Sequence, residues 1–433
     1  MVYIITTVLT LLMLAVGIHI AGALFIVGFV GGWLAIGKAV IYDFGNQVWL
    51  VLNNFALTSI PLFILLGEFL LRSDLTDKLY ASLSLWLRLL PGGLLHTNIG
   101  ACAIMAATSG SSVATAASLG VVAIPVMREK KYNNRMILGS IAAGGTLGIL
   151  IPPSINMIIY GSVSNTSIGK LFIAGVIPGI LLTLSFLALI VAAARIRHAW
   201  VGGTQEPPST FLEKLKTVQS FLPAAVIVIA IMGSIYFGWA TPTEAAALGV
   251  TVTFIMCALT GKVSIKFLHD SFVSAVKTTS MILLIMAAAF YLNYVISILG
   301  LPQLFTTWFI SLNFSPTTTI FMIMLLYILM GMFIETIAMM VTTIPLVLPI
   351  IQNAGYSDLW FGVFLVILCE ASLITPPVGM NLYVVQGVRQ DKGPMKDIMI
   401  GVLPFLVLMI VLMIVLIYFP HLATWLPQYM MGA

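Results

Sequence analysis

Hydroxyl and backbone oxygen atoms are the groups in this chain whose types and spacing point to ligand binding. Residues 109–112 (Ser-Gly-Ser-Ser) interrupt an apolar block at 95–126, and a double proline at 152 and 153 interrupts another at 136–161. Proline removes a backbone hydrogen bond and leaves a carbonyl oxygen that lipid cannot satisfy, so such a break must face protein or a cavity. Neutral oxygens suit a hard cation such as Na⁺, and half-helix N-termini suit an anionic group. The alternative is a small-residue surface through which membrane helices pack.

The second half of the chain repeats this pattern. Its double proline stands at 376 and 377, an offset of 376 − 152 = 224 residues, and residues 331–335 interrupt an apolar block at 316–350. The same offset superimposes Tyr132 on Tyr356 and Ile124-Pro125 on Leu348-Pro349. An internal duplication therefore predicts a second cation site, in which Thr375 offers a hydroxyl where the first half has Ile151.

Two carboxylates and two amides accompany the breaks. A carboxylate at membrane depth is costly and usually functional. Glu335 could attract a cation or carry a proton, or it could bind backbone groups freed at a hairpin tip, whereas a structural role is favoured for Glu370. Asn156 and Asn381 follow the two breaks and could contact a substrate or tie the broken helices together.

Composition identifies an integral membrane protein. Hydrophobic residues make up 61% of the 433 and charged residues 8%, and the mean hydropathy is +1.13. Most of the length consists of apolar stretches long enough to span a bilayer as helices, without the alternating ten-residue segments of a β-barrel. The chain contains neither a phosphate-binding GxxxxGK[ST] loop nor an HExxH motif, so ATP hydrolysis by this chain is excluded and an enzyme is not expected.

The apolar segments divide the chain into two repeats of about five spans each. We expect the first repeat at 1–200, with a re-entrant hairpin at 95–126 and a broken helix at 136–161. The second repeat is expected at 220–433, with a hairpin at 316–350 and a broken helix at 360–388. A hydrophilic connector at 201–219 separates them. The predicted spans lie near 2–17, 19–37, 50–71, 136–161 and 169–194, and near 220–237, 243–261, 277–298, 360–388 and 398–419.

Loop charges predict that the two repeats are inverted in the membrane. The loop after the first hairpin carries Arg128, Lys130, Lys131 and Arg135, whereas the matching loop at 352–359 contains no Lys or Arg. Positive residues mark cytoplasmic loops, so matching loops face opposite sides. This scheme predicts a cytoplasmic connector and periplasmic termini.

With these motifs the chain resembles the large membrane subunit of tripartite ATP-independent periplasmic (TRAP) transporters, within the ion transporter superfamily of elevator-type carriers. The resemblance covers essentially all of the sequence and is carried by residues 59–68, 109–114, 148–154 and 374–379. It implies Na⁺-coupled import of an organic anion across the bacterial inner membrane. The hairpins and broken helices would move together as a transport domain against a scaffold.

The resemblance also implies which residues bind each Na⁺ ion. One Na⁺ site would use Ser109, Ser111, Gly148, Ile151 and Pro153, and the other would use Gly331, Ser372, Thr375 and Val378. Ser372 stands where the family commonly has glycine. The candidate substrate-binding residues are Ser111, Ser112, Asn156 and Asn381. A carboxylate such as a C4-dicarboxylate, sialic acid or a keto acid is the expected substrate.

Two partners are implied as well. A periplasmic binding protein would deliver the substrate, and a small four-helix membrane subunit is expected as a separate chain, because this chain begins directly at its own first span. Three alternatives remain open at this point: a passive channel for small anions, a proton-coupled carrier using Glu335, and an intramembrane enzyme using Glu335 and Glu370.

Overall fold

The computed structural model describes residues 17–73, 75–203, 217–391 and 393–431, together with Met13, Glu213 and Leu215. Apart from one isolated β-bridge between Tyr132 and Gly202, the regular structure in this part of the chain is helical, as the sequence predicts. The first-half helices are α1 (Ile20–Ile36), α2 (Ala39–Leu52), α3 (Ser59–Arg72), α4 (Leu75–Leu87), α5 (Leu94–Ser109), α6 (Ser112–Glu129), α7 (Asn134–Leu150), α8 (Ile155–Ser164), α9 (Ile168–Ile196) and the short α10 (His198–Val201). The second-half helices are α11 (Leu222–Tyr236), α12 (Pro242–Leu259), α13 (Ile265–Ile298), α14 (Leu301–Ser311), α15 (Pro316–Gly331), α16 (Thr336–Asn353), α17 (Asp358–Leu373), α18 (Met380–Val388), α19 (Met395–Tyr418) and α20 (His421–Met431).

Two helical hairpins contain the polar interruptions seen in the sequence. Helix α5 ends at Gly110, whose φ of +61° is left-handed and therefore favours glycine, and Ser111 then caps α6. In the second half, α15 ends at Gly331 and Glu335 caps α16. The tips of the hairpins therefore fall within the Ser-Gly-Ser-Ser motif and within residues 331–335.

Each double proline lies between two half-helices. Helices α7 and α8 meet at an angle of 42°, and Ser154 caps α8 by accepting a hydrogen bond from the Met157 N–H at 3.3 Å. Between α17 and α18 the break is longer and ends at Gly379, whose φ is +47°. Both Pro-Pro peptide bonds are cis.

Eight of the described helices are long and apolar enough to cross a membrane, and the bent pair α7–α8 would make nine. The predicted first span at 2–17 lies almost wholly outside the described residues, as does most of the connector. The order of helices from α5 to α9 recurs from α15 to α19, although how the two sets lie relative to a bilayer stays a prediction.

Two boundaries differ from the sequence-based expectation. The segment expected at 50–71 is interrupted, because Asn54 accepts a hydrogen bond from the Ala56 N–H at 3.0 Å and starts a new turn before α3. The span expected at 277–298 begins earlier than predicted. It starts at Ile265 and continues through 34 residues to Ile298 as α13.

The core is built around α7 and α17. Every residue from Met136 to Leu150 and from Trp360 to Leu373 is buried. Small residues allow this density: a methyl group at Gly139 would lie 2.1 Å from the carbonyl oxygen of Gly401 on α19. The helices that precede the two breaks are thus the most enclosed elements of the described chain.

A charged cluster closes one end of this core. The buried guanidinium of Arg389, after α18, hydrogen-bonds to Asp391 and to Asp397, the latter at 3.2 Å from Nη2. Arg128, at the end of α6, lies 2.6 Å from Asp391. The hydrogen bond from Arg389 is the largest cause that holds the pKa of Asp391 below its ordinary value. The cluster ties the first hairpin to the segment after the second break.

Candidate functional site

The first hairpin tip lies directly against the first broken helix. A methyl group at Gly148 would lie 2.8 Å from the carbonyl oxygen of Ser111 and 3.0 Å from the amide nitrogen of Ser112. On the other side of the break, a methyl group at Gly110 would lie 3.0 Å from the carbonyl oxygen of Pro153. The structure therefore brings together Ser111, Gly148 and Pro153, three of the five residues expected at the first Na⁺ site.

The other two expected residues flank this contact. The Ser109 hydroxyl shares a hydrogen bond of 2.9 Å with the Thr115 hydroxyl, and its backbone packs against Gly67 on α3. Ile151 ends α7, since its N–H makes the last helical bond to Leu147 at 3.0 Å. Carbonyl and hydroxyl oxygens are the donor set that fits Na⁺, and none of the described residues forms a cluster of His, Cys, Asp and Glu that would suit a transition metal.

The second hairpin meets the second broken helix in a corresponding way. A methyl group at Gly331 would lie 2.2 Å from both Cβ and Oγ of Ser372, so the position has no space for a side chain. The Ser372 hydroxyl donates to the Cys369 carbonyl at 2.6 Å, and the Thr375 hydroxyl donates to the Ala371 carbonyl at 2.7 Å. Both hydroxyls donate their hydrogens to carbonyl groups of α17, which leaves their oxygen lone pairs as acceptors.

Exposure distinguishes the two breaks. Residues 152–160 of the first break and α8 are buried, whereas Val378 in the second break is 37% exposed. A methyl group at the neighbouring Gly379 would lie 3.0 Å from the carbonyl oxygens of both Leu373 and Thr375. The backbone oxygens of the second break therefore converge near a surface, and those of the first near the core.

Glu335 occupies the place of Ser111 in the second hairpin, since 111 + 224 = 335. The Ser111 hydroxyl accepts a hydrogen bond from the Ala114 N–H at 3.3 Å, and the Glu335 carboxylate accepts one from the Ala338 N–H at 3.0 Å. Thr336 also donates to this carboxylate at 3.2 Å. Of the two roles that the sequence left open, this geometry is that of a carboxylate bonded to backbone groups freed at a hairpin tip.

Glu370 makes a contact that the sequence did not reveal. Its side chain is fully buried on α17, and one carboxylate oxygen accepts a hydrogen bond from Ser112 at 2.7 Å. The other carboxylate oxygen is buried without a hydrogen-bond partner among the described residues. The bond crosses from the first hairpin to the second broken helix, between residues 258 positions apart in sequence.

The two asparagines end up buried beside the breaks. Asn156 is 2% exposed and Asn381 is fully buried, each in the first turn of the half-helix after its break. The Asn156 Nδ2 and both polar side-chain atoms of Asn381 lack a hydrogen-bond partner in the described structure. Buried amides are normally bonded, so the two side chains keep unsatisfied hydrogen-bonding capacity beside the breaks.

Three residues that were not predicted from the sequence also shape the first hairpin site. Gly110 and Gly67 allow the close approaches on either side of Ser109, and Thr115 bonds the Ser109 hydroxyl. Gly110 lies inside the quoted motif, and Gly67 inside the segment 59–68, so both could have been found there. Thr115 carries no signal of its own, because its register equivalent, 115 + 224 = 339, is Met339.

Comparisons with known proteins agree with this architecture. Residues 6–422 match the family of the DctM component of tripartite ATP-independent periplasmic transporters. The chain is 32% identical over 401 residues to the C4-dicarboxylate TRAP transporter large permease protein DctM of Vibrio cholerae, covering 88% of this chain and 87% of that protein. It is 30% identical over 382 residues to the sialic acid TRAP transporter large permease protein SiaM of the same organism, covering 88% of each. The YdaH transporter of Alcanivorax borkumensis has a similar fold, with a TM-score of 0.60 at 14% identity over 96% of this chain and 98% of that one.

Proposed function

Because the chain belongs to the DctM component family of TRAP transporters, as the match over residues 6–422 shows, we propose that it carries an organic anion across the inner membrane together with Na⁺. The observation that carries the proposal is the contact of each hairpin tip with a broken helix, at Ser111 against Gly148 and at Gly331 against Ser372. Each contact gathers neutral oxygens and helix ends at one place, which is the arrangement that binds ions and substrates in secondary transporters.

Sodium would bind at both contacts. The first site would use Ser109, Ser111, Gly148, Ile151 and Pro153, and the second would use Gly331, Ser372, Thr375 and Val378. Na⁺ is a hard cation, and half-helix C-terminal carbonyls carry partial negative charge without requiring a buried carboxylate. Na⁺ binding would draw each hairpin tip onto its broken helix, so that the tips would be less mobile with Na⁺ bound than without it.

The anionic group of the substrate would bind at the first hairpin. The N-terminus of α6 is capped by the neutral Ser111, whereas the N-terminus of α16 is capped by the carboxylate of Glu335. The positive end of α16 is thereby neutralised by the protein itself, and that of α6 is not. Asn156 adds a buried N–H donor, without a partner among the described residues, on the half-helix that adjoins this tip. The Ser112 hydroxyl already donates its hydrogen to Glu370, so Ser112 would offer the anion its backbone N–H at the N-terminus of α6.

The packing supports movement of the hairpins and broken helices as one body. They are bonded to one another at Ser112–Glu370 and at Arg128–Asp391. The helices around them form a second group, in which Ser274 on α13 donates to Glu68 on α3 at 2.6 Å. Between the groups, Gly67 packs against the Ser109 backbone without a side chain. An elevator movement would slide the first group along the second at such a contact.

The small membrane subunit and the periplasmic binding protein are proposed as partners. The relatives described above are named for a C4-dicarboxylate and for sialic acid, so a carboxylate is the proposed substrate class. The positive loop containing Arg128 and Arg135 would face the cytoplasm and the termini the periplasm.

Uptake by proteoliposomes that contain both membrane subunits and the binding protein tests the proposal. Labelled succinate and labelled sialic acid serve as probes, with an inward Na⁺ gradient or with equal Na⁺ on both sides. We expect one probe to accumulate only with the gradient and only with the binding protein present. Equal uptake under both Na⁺ conditions would refute the coupling, and uptake without the binding protein that stops at equal concentrations would indicate a passive channel.

A further inference from the structure

Helix α17 stands between the two hairpin tips and contacts both. Ser372, near its C-terminal end, fills the space beside Gly331 at the second tip. Two residues earlier, Glu370 accepts the hydrogen bond from Ser112 at the first tip, at 2.7 Å. A single rigid helix therefore touches both of the places where Na⁺ is proposed to bind.

We propose that Glu370 is a positioning residue whose hydrogen bond with Ser112 couples the first hairpin site to the second, so that the two sites bind Na⁺ cooperatively. The inference rests on the proposed function, because it presupposes a Na⁺ site at each hairpin. It adds a role for a carboxylate that belongs to neither expected set of Na⁺ ligands.

The internal repeat shows that this bond is not a general requirement of the fold. The register places Glu370 on Thr146, since 370 − 224 = 146, and Ser112 on Thr336, since 112 + 224 = 336. The Thr146 hydroxyl donates to the Ala143 carbonyl of its own helix at 2.6 Å, and Thr336 donates to the neighbouring Glu335. In the matching pair, both hydroxyls donate locally. The longer Glu370 side chain instead reaches the other half.

The Ser112–Glu370 bond can couple the two sites because each of its residues lies close in sequence to a proposed Na⁺ ligand, Ser111 or Ser372. Ser112 is the first residue of α6, and the peptide group that joins it to Ser111 packs on Gly148. A cation that fixes the end of α17 fixes Glu370, and Glu370 then favours the position of Ser112 that completes the first site. Two sites that bias one shared arrangement bind with reciprocal positive coupling.

The Ser112–Glu370 bond is costly to break because Glu370 is buried. Glu370 has no other hydrogen bond among the described residues, and its side chain is fully enclosed. A buried carboxylate that loses its partner retains the full cost of desolvation, so movement of Ser112 away from Glu370 is opposed. The first tip is therefore held where α17 places it.

Equilibrium binding of ²²Na⁺ to the purified chain in nanodiscs tests the proposal, because independent sites cannot give a Hill coefficient above 1. We expect a Hill coefficient above 1 for the wild type and about 1 for Ser112→Ala and Glu370→Ala. In both variants the Na⁺ concentration at half-saturation should rise roughly 5-fold or more. Glu370→Gln should restore cooperativity, since its amide oxygen still accepts the Ser112 hydroxyl.

Ser274→Ala is the matched control. It removes the hydrogen bond of 2.6 Å that Ser274 donates to the Glu68 carboxylate, which does not lie at a hairpin tip. This variant should keep the wild-type coefficient. Ser112→Ala deletes one oxygen atom and carries the test if Glu370→Ala does not fold.

Three results would overturn the inference while leaving the proposed function intact: a wild-type coefficient of 1, unchanged cooperativity in Ser112→Ala, or a Glu370→Gln variant that behaves like Glu370→Ala. Absence of any Na⁺ binding by the wild type would instead refute the proposed Na⁺ coupling, and this inference with it.

Discussion

Gly148 is the position at which one added methyl group tests the first Na⁺ site most directly. In Gly148→Ala the new Cβ would lie 2.8 Å from the Ser111 oxygen, 2.9 Å from its carbonyl carbon and 3.0 Å from the Ser112 nitrogen. These are backbone atoms held on both sides, by the bond from the Thr115 N–H to the Ser111 oxygen at 3.1 Å and by the Ser112–Glu370 bond. The hairpin tip must therefore move away from α7.

The added methyl group has two effects, of which the first acts on folding stability and the second on Na⁺ binding. Alanine in place of a helical glycine gains about 1 kcal/mol of helix propensity. Overpacking a well-packed site costs about 1–3 kcal/mol, and here it falls on the atoms that would bind the cation. A loss of about 1–3 kcal/mol in binding corresponds to a rise of about 5- to 150-fold in the Na⁺ concentration for half-maximal uptake.

Gly233→Ala is the matched control for Gly148→Ala. Gly233 is also helical, on α11, and its nearest neighbour to an added methyl group is 4.0 Å away. Both variants gain the same propensity, so the difference between them isolates the steric effect. The Na⁺ dependence of proteoliposome uptake and the midpoint of thermal unfolding are measured for each. A Gly148→Ala protein with the Na⁺ dependence of Gly233→Ala would refute the placement of the first site.

Two further outcomes follow from the described contacts. Gly331→Ala should lose Na⁺-dependent uptake, because its methyl group would lie 2.2 Å from Ser372 Cβ, and the double variant with Ser372→Gly should recover part of it by removing that side chain; no recovery would contradict the contact. Arg389 holds the pKa of Asp391 below its ordinary value, so the stabilisation is present above the unfolded value of about 3.9 and is lost as the pH falls through the lower folded value. The midpoint temperature of wild-type unfolding should therefore decrease as the pH drops below about 4, and it should decrease more steeply than that of Asp391→Asn. The variant Asp77→Asn, at an exposed position, should follow the wild type. Parallel curves for all three proteins would contradict the assignment.

The breaks were predictable because their causes are local. The double prolines at 152–153 and 376–377 remove two successive backbone N–H donors, and a glycine or a capping side chain follows or precedes each interruption. The 224-residue register also indicates that Glu335 caps a helix, since it superimposes that carboxylate on the capping Ser111. Elements whose geometry depends on a few neighbouring residues could thus be placed from the sequence.

Contacts between the halves could not be predicted in the same way. The Ser112–Glu370 bond depends on how α6 and α17 pack, and the register gives no hint of it because the equivalent threonines bond locally. Helix continuity was also misjudged at α13, where hydropathy falls at Lys266 and His269 although the backbone remains helical. Hydropathy reports the surroundings of a residue, and a helix can pass from lipid to water without a change in its hydrogen bonds.

That continuity has a mechanical consequence. With a rise of 1.5 Å per residue, the 34 residues of α13 form a rod of about 51 Å, whereas the hydrocarbon layer is about 30 Å thick. The 21 residues after the exposed Lys277 span about 32 Å, so if they fill the layer the remaining length of about 20 Å would extend beyond it. Near the other end of the rod, the Asn293 amide donates to the Val341 carbonyl of the second hairpin at 2.7 Å. The helix therefore runs without a break in its backbone from the second hairpin to a segment that exceeds the hydrocarbon thickness, and sliding of that hairpin along α13 would have to break the Asn293–Val341 bond.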